Sequence, residues 1–566
     1  MEKNSTGKVL IIGLDGATFT LLKPWMEQGY LPAIKSLVEN GASGNLRTVV
    51  PPITGPAWSS FMTGVNPGRH RIYDFLIRDE HTGKDIPVNA RLRRGTAFWE
   101  YLSEAGKRVV VLNVPVTYPP APVNGVMISD FLTPAGKRDF IYPVELVDEI
   151  EQKFGAYPLY FRMPLFCPNL SDANTTAFLK ELRDSMEYKF NVACYLHERY
   201  QSDLLMLHIW GTDRIQHELW NFFDESHIQF KPDKKNKFYG EIIDYYKRVD
   251  RNIARLIDLV GKDSTVFIVS DHGFGPTHWM IDINTWLLEN GFIKLKNRFL
   301  SKLRYFLWKK GITPELILRV FVKKLFLKYL WRFYNTNPER FIRTLSSRSI
   351  NFLLGVHDID WQRTTAFATY SSSIYINKKG VFPEGCVESE EQAQDVCRRI
   401  VEALRNLRNP ATGELVGGDI VLREEAFRGP YAQYCPDITY LPLENKYLAY
   451  SFMGFGSNKV IFEAAALPGN HTMNGVLVAQ GPSIRKGTKV AGAHLMDIAP
   501  TVLYLMGQKI PRDMEGKVLT EIIREEFAAA HSIEYREAGE IRETADILTE
   551  EDQKDVIEKL KGLGYL

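Results

Sequence analysis

Short apolar runs that end on, or just before, an aspartate constrain this chain most. Val9-Leu10-Ile11-Ile12-Gly13-Leu14 leads into Asp15, Val266-Phe267-Ile268-Val269-Ser270 leads into Asp271, and Asp213 follows Leu204–Ile209 by four residues. Runs of this length and make-up read as strands buried on both faces. The full set is Lys8–Leu14, Arg108–Val114, Asp203–Ile209, Thr265–Ser270 and Gly475–Ala479. Helical stretches separate them, among them Thr96–Glu104, Thr176–Tyr200, Tyr239–Val260 and Glu391–Leu407. This alternation predicts an α/β protein, an α/β/α sandwich with a mostly parallel central sheet. Ligands bind beyond the carboxyl ends of strands in such sheets, so the three carboxylates are expected to converge on one edge.

Composition narrows the function classes. With 566 residues, of which 45% are hydrophobic, the chain can bury a large core and is not mainly disordered. A formal charge of +2 excludes a surface built throughout for nucleic acid, and no specific nucleic-acid binding is expected. The five cysteines, Cys167, Cys194, Cys386, Cys397 and Cys435, never fall as C-x-x-C. Neither a disulfide framework nor a thiolate zinc site is indicated, and a reducing compartment fits. Met1–Lys8 is polar, and the apolar run after it is too short for a signal segment or a membrane span. The expectation is a soluble, cytoplasmic protein.

Carboxylates brought within a few Å cannot all stay ionised unless cations neutralise them, so convergence implies metal. Asp213 and His217 are spaced i, i+4, and one helical turn aims both at the same ion. Asp271 and His272 are adjacent, and Gly273-Phe274-Gly275 supplies the backbone freedom for a loop that turns both inward. Each pair alone is more often a solvated surface feature; their combination carries the inference. Asp and His donors without thiolates favour zinc, with manganese as the other choice. Val50–Gly64 adds a hydroxyl, Thr54, beside a helix start, where it is either an activated nucleophile facing an anion site or a plain N-cap.

In these blocks the sequence resembles the alkaline phosphatase superfamily, and most closely its type I phosphodiesterase/nucleotide pyrophosphatase branch. Thr54-Gly55-Pro56 with the later Thr63-Gly64 matches the nucleophile element, and Gly211–His217, Ser270-Asp271-His272-Gly273 and Pro468-Gly469-Asn470-His471-Thr472, with Gly481-Pro482 beyond, follow in order. The resemblance spans about residues 8 to 520 apart from an insert. It implies two divalent ions, one held by Asp213, His217 and His471 and the other by Asp15, Thr54, Asp271 and His272. It also implies in-line attack of Thr54 on phosphorus, a phosphothreonine intermediate and its hydrolysis by water. Two departures stand out. Sulfatases of the superfamily carry a formylglycine precursor and an Arg two residues after the Pro, where this chain has Thr54 and Trp58. Nucleotide pyrophosphatases carry an Asn after the Thr-Gly element, where this chain reads His70-Arg71-Ile72-Tyr73-Asp74-Phe75. Asn113 and Arg69 are the available substitutes, each with a structural role as the alternative.

The expected organisation is a catalytic core of residues 7–283 and 361–520, a basic helical cap inserted at 284–360, and a charged tail at 521–566 with a helix at Glu550–Lys561. Lys294–Arg332 holds twelve Lys or Arg against one acid, Glu315, a local +11 that leaves the remainder at −9. From Pro314, Leu318, Val322, Leu325, Phe326, Tyr329 and Phe333 follow helical spacing between Arg319, Lys323, Lys328 and Arg332, with Trp308 and Trp331 nearby. A cap helix and a peripheral contact of 294–332 with an anionic membrane are the two readings. The function expected is a metal-dependent phosphohydrolase, a phosphodiesterase or nucleotide pyrophosphatase-like enzyme acting on a small phosphorylated substrate. A phosphomutase of the same superfamily is the alternative, and a nonenzymatic membrane or partner-binding protein is the third reading. Oligomeric state is unreadable.

Overall fold

A computed structural model describes residues 7–78, 84–160, 171–313, 353–369, 372–451, 455–464, 467–539 and 548–565. Its centre is a nine-stranded sheet in the order Thr488–His494, Ala42–Arg47, Asn474–Gln480, Thr265–Val269, Val9–Leu14, Leu204–Ile209, Val109–Leu112, Gly125–Ile128 and Ile141–Tyr142. Val9–Leu14 pairs in parallel with Leu204–Ile209 on one side and Thr265–Val269 on the other. Asn474–Gln480 runs antiparallel to both its neighbours, and Ile141–Tyr142 runs antiparallel to Gly125–Ile128. The sheet is otherwise parallel, and the α/β architecture with a mostly parallel sheet is as expected.

The apolar runs behave as buried strands because each serves two cores. Leu10, Ile12 and Leu14 enter one hydrophobic cluster and Val9 and Ile11 the other, following the two-residue alternation of a strand. Helices Asp172–Tyr200 and Pro232–Val260 contribute to the first cluster through Phe178, Leu182, Phe190, Ile242 and Ile253. Helices Thr54–Thr63, Phe98–Glu104 and Ile498–Leu505 contribute to the second. Each such side chain removed from water is worth about 1.5–3 kcal/mol, so the sheet is held from both sides.

The chain divides into two compact units, residues 1–276, 426–435 and 465–566 in the first and 277–425 and 436–464 in the second. The second is larger than the insertion expected at 284–360, and it is not only helical. It holds a four-stranded antiparallel sheet in the order Ala366–Ala368, Ser373–Ile376, Ile438–Pro442 and Gly418–Leu422, and a three-stranded one around Trp279–Asp282. Ile374, Ile376, Ile438 and Tyr440 pack with Val396, Ile400 and Leu404 of helix Glu390–Arg405 in a core of its own. Those runs pair with one another and not with the main sheet, which moves them out of the expected core. The basic amphipathic stretch from Pro314 to Phe333 lies outside the described residues, and so does Trp331.

The expected charged tail is part of the first unit. Helix Glu550–Leu563 buries Val556, Leu560 and Leu563 in the first core, at i, i+4 and i+7. Lys559 Nζ donates to the Thr133 carbonyl at 2.7 Å, and Tyr565 lies against Phe75 with ring centres 4.4 Å apart.

Candidate metal and catalytic centre

Three neighbouring parallel strands of the first unit deliver their acids at the same end. Asp15 directly follows Val9–Leu14, Asp271 and His272 follow Thr265–Val269, and helix Gly211–Phe223 after Leu204–Ile209 carries Asp213 and His217. His471 arrives on Gly469–Thr472, which pairs antiparallel with Gly273–Pro276 so that His471 stands opposite Phe274. Thr54 is the first residue of its helix, after the N-cap Ile53. Two glycines make the approach feasible. Gly16 has φ +64°, and its N–H donates to Asp271 Oδ1 at 3.2 Å; a Cβ at Gly273 would lie 2.0 Å from the Asn474 carbonyl oxygen.

All seven residues expected at the site come together, and all are buried or nearly so. Nε2 of His217 and of His471 lie 2.9 Å apart and 3.3 and 3.2 Å from Asp213 Oδ1. Nε2 of His272 lies 3.2 Å from Asp271 Oδ2, 3.5 Å from Asp15 Oδ1 and 3.4 Å from Thr54 Oγ1. The His272 and His471 rings stack at 3.6 Å, which makes the two groups continuous. Two sets of donors lie close enough to share an ion, Asp213 with His272 and His471, and Asp15 with Asp271 and His272.

Each imidazole is oriented from behind by a backbone carbonyl. Nδ1 of His217 faces Gly469 O at 3.0 Å, Nδ1 of His272 faces Gly273 O at 3.1 Å, and Nδ1 of His471 faces Pro52 O at 2.7 Å. A carbonyl only accepts, so Nδ1 carries the proton and Nε2 presents a lone pair to the centre. Asp15 is fixed in the same manner, its Oδ2 accepting from His208 Nε2 at 2.8 Å and Trp58 Nε1 at 3.2 Å.

The electrostatics describe a cluster short of positive charge. Burial, then the charges of Asp271 and Asp213, hold the Asp15 carboxyl well above the ordinary range, and burial does the same to Asp271. Burial also works against Asp213, but His217 and His471 beside it outweigh that and hold it well below. Burial lowers His217 to about 4, and burial with the neighbouring His471 drives His272 well down. Asp15 Oδ1, Asp213 Oδ2 and Asp271 Oδ2 are buried without a hydrogen-bond partner. The orphaned oxygens of Asp15 and Asp271, beside imidazole lone pairs, fit divalent cations, which would bring both raised carboxyls back down.

The alternatives left open by the sequence resolve on geometry. Thr54 lies inside the helix and Ile53 offers no side-chain cap, so the hydroxyl is not spent on capping. Asn113 donates to Ser129 O at 2.8 Å and accepts from Tyr157 Oη at 2.7 Å, and Arg69 pairs with Glu515 at 2.9 Å, so both have structural partners. The sequence reading missed His208 and gave Trp58 no role at Asp15. The available signal was a lone polar residue inside the apolar run Leu204–Ile209.

Solved structures to which the chain is similar include phosphonoacetate hydrolase from Sinorhizobium meliloti 1021 in complex with phosphonoformate, at 16% identity and a TM-score of 0.47, covering 89% of this chain and 95% of that one. An inactive variant of murine ectonucleotide pyrophosphatase/phosphodiesterase 5 in complex with AMP is 12% identical with a TM-score of 0.47, covering 92% and 100%. The human counterpart is 12% identical with a TM-score of 0.45, covering 91% and 100%. No curated protein matches the sequence. The family model of type I phosphodiesterase/nucleotide pyrophosphatase matches residues 9–454, about four fifths of the chain, a span with Asp15, Thr54, Asp213, His217, Asp271 and His272 inside it and His471 just beyond. The chain therefore belongs to the type I phosphodiesterase/nucleotide pyrophosphatase family, a metal-dependent family, and is a hydrolase of phosphoester bonds.

Proposed function

We propose that this protein is a phosphodiesterase or nucleotide pyrophosphatase-like enzyme that works through a phosphothreonine on Thr54 with two divalent ions, zinc ahead of manganese. The observation that carries this reading is a fully buried hydroxyl on the first residue of a helix, 3.4 Å from an imidazole of the carboxylate–histidine cluster. Asp213, His217 and His471 would hold one ion, and Asp15, Thr54, Asp271 and His272 the other. When bound, the ions supply four positive charges, which offset three carboxylates and a Thr54 alkoxide and stabilise the attacking and leaving oxygens.

The remaining work falls to the chain. The helix N-terminus at Thr54 favours negative charge there, and the carbonyls of Gly469, Gly273 and Pro52 keep the three imidazoles turned inward. Thr54 Oγ1 bonds to phosphorus as the bond to the leaving oxygen breaks, and the proton given up by the Thr54 hydroxyl passes through water to the leaving oxygen. Water then cleaves the phosphothreonine, restoring the Thr54 hydroxyl and releasing a monoester from a diester substrate. Neighbouring hydroxyls are already committed. Ser59 Oγ donates to Gly55 O at 2.8 Å, and Ser60 Oγ lies 2.8 Å from His70 Nε2. The substrate expected is small and phosphorylated, and cysteine usage favours a cytoplasmic setting. No described helix is long and apolar enough to cross a membrane.

The test is an acid-quenched reaction with a chromogenic phosphodiester, followed by mass spectrometry of the Thr54 peptide. A phosphoryl group on Thr54, and loss of turnover in a folded Thr54→Ala variant, are expected. A phosphoryl group on Ser59 or Ser60 overturns the nucleophile. Turnover that isomerises the substrate without releasing a free leaving alcohol would replace hydrolysis by phosphoryl transfer within the substrate.

A further inference from the structure

We infer that helix Phe299–Lys309 of the second unit lies on an anionic lipid surface. The helix is tethered along one side only. Ser301 and Trp308 are buried; Ser301 Oγ donates to Asp358 Oδ1 at 2.7 Å, Arg304 pairs with the same oxygen at 2.9 Å, and Trp308 stacks on Tyr305 and meets Phe455 edge-on. Phe299, Leu303 and Phe306 follow at i, i+4 and i+7 on the opposite side and are 80%, 42% and 56% exposed. Leu300, at 58%, widens the apolar stripe.

The charge around that stripe has one sign. Residues 294–313 contain seven Lys or Arg and no acid. On the helical wheel Lys302 and Lys309 flank the stripe on one side, and Lys310 follows in line with it. Among the described residues none of these three pairs with a carboxylate; Lys309 and Lys310 lie over the rings of Tyr305 and Phe306. An exposed aromatic and aliphatic stripe edged by lysines matches the interface of an anionic bilayer, where the rings enter the headgroup boundary and the ammonium groups meet phosphate. A nucleic acid would satisfy the lysines and leave the stripe in water. A second copy would cover the stripe while bringing like charges together. With 11 residues the helix is too short to span a bilayer, so it lies in the interface plane.

Flotation of the full chain with phosphatidylcholine vesicles, with and without phosphatidylglycerol, tests the assignment. Binding is expected only to the anionic vesicles and is expected to weaken from low to physiological salt. Each lysine near the surface is worth about fivefold in partitioning, so K302Q/K309Q/K310Q should bind on the order of a hundredfold more weakly. F299S/F306S should lose at least about tenfold while keeping the wild-type melting temperature. Hydrolysis of a soluble diester should be unchanged in both variants, so the result stands apart from the reading of the catalytic centre. No flotation of the wild type at low salt overturns the inference. So does binding to duplex DNA that ignores F299S/F306S, or a dimer in light scattering that F299S/F306S abolishes. A marked drop in melting temperature for F299S/F306S also overturns it, because the stripe would then be covered by the chain itself.

Discussion

Replacing His208 with Phe tests whether the residues behind the cluster set its metal affinity. His208 is 1% exposed on a central strand, and burial together with the charge of Lys189 lowers its pKa to about 3. It is therefore neutral at any working pH and gives its one Nε2 proton to Asp15 Oδ2 at 2.8 Å. A neutral donor to a carboxylate is worth about 1.5–3 kcal/mol. Trp58 Nε1, at 3.2 Å, is the second donor to that oxygen. Phe keeps the volume and the edge contact with Trp58, whose ring centre lies 4.9 Å from that of His208, but it removes the proton. Asp15 would then turn on a single longer hydrogen bond. Loss of an orienting partner of this kind typically costs 10–100-fold in metal affinity. That equals about 1.4–2.7 kcal/mol, within the value of the bond removed. The assay is chelator competition for zinc together with kcat/KM, and melting of the metal-free protein controls for folding. His208→Gln keeps an N–H in the pocket and should recover part of the loss. If His208→Phe binds zinc and turns over as the wild type does, the orienting argument is wrong. If only the melting temperature falls, His208 is a core residue and nothing more.

Asp271→Asn and His217→Ala should each lower metal content and activity together, and full activity in metal-stripped protein would contradict the cluster reading. His70, held neutral at a pKa of about 3 by burial and then by Arg93, accepts from Ile72 N–H through Nδ1. Its folded pKa lies below the unfolded 6.5, so the stability it contributes is complete above about pH 6.5 and is lost as pH falls toward 3. Within that window His70→Gln should remove about 1.4 kcal/mol per pH unit from the slope of stability in urea titrations, and an unchanged slope would refute it. Leu560→Ala, in the helix that had read as a charged tail, should cost about 2–5 kcal/mol and lower the melting temperature by several degrees. An unchanged melting curve would mean that this helix is not part of the fold.

The central strands were legible because each is a continuous apolar run, and only burial on both faces demands that. Their mostly parallel direction followed from the helices between them, but the exception did not, since nothing in Gly475–Ala479 announces that its strand is antiparallel. The acids of the site were legible from their positions after strands. His471 was not, because its strand Gly469–Thr472 is short and mostly polar, and only the family resemblance pointed to it. The second unit stayed hidden because its strands run three to five residues, too few for a period to emerge. The helix at Glu550–Lys561 was legible, but with its apolar residues set among eight charged ones its burial in the first core was not. His208 was overlooked for a related reason, since a histidine within an apolar strand reads as core.

The three inward-facing histidines take their orientation from main-chain oxygens, and that changes where the site is robust and where it is fragile. No point substitution can delete a backbone carbonyl, but the freedom this gives the sequence is confined to position 52, since a Cβ at Gly273 would lie 2.0 Å from the Asn474 carbonyl oxygen and one at Gly469 2.5 Å from that of Gln216. The path of the chain cannot drift in the same way. Two of the three oxygens belong to one short antiparallel ladder, Gly273–Pro276 with Gly469–Thr472. A one-residue insertion there would rotate His217 and His272 while leaving every ligand present in the sequence. A relative of this chain could thus keep all seven donors in an alignment and still be dead, with the lesion written in loop length.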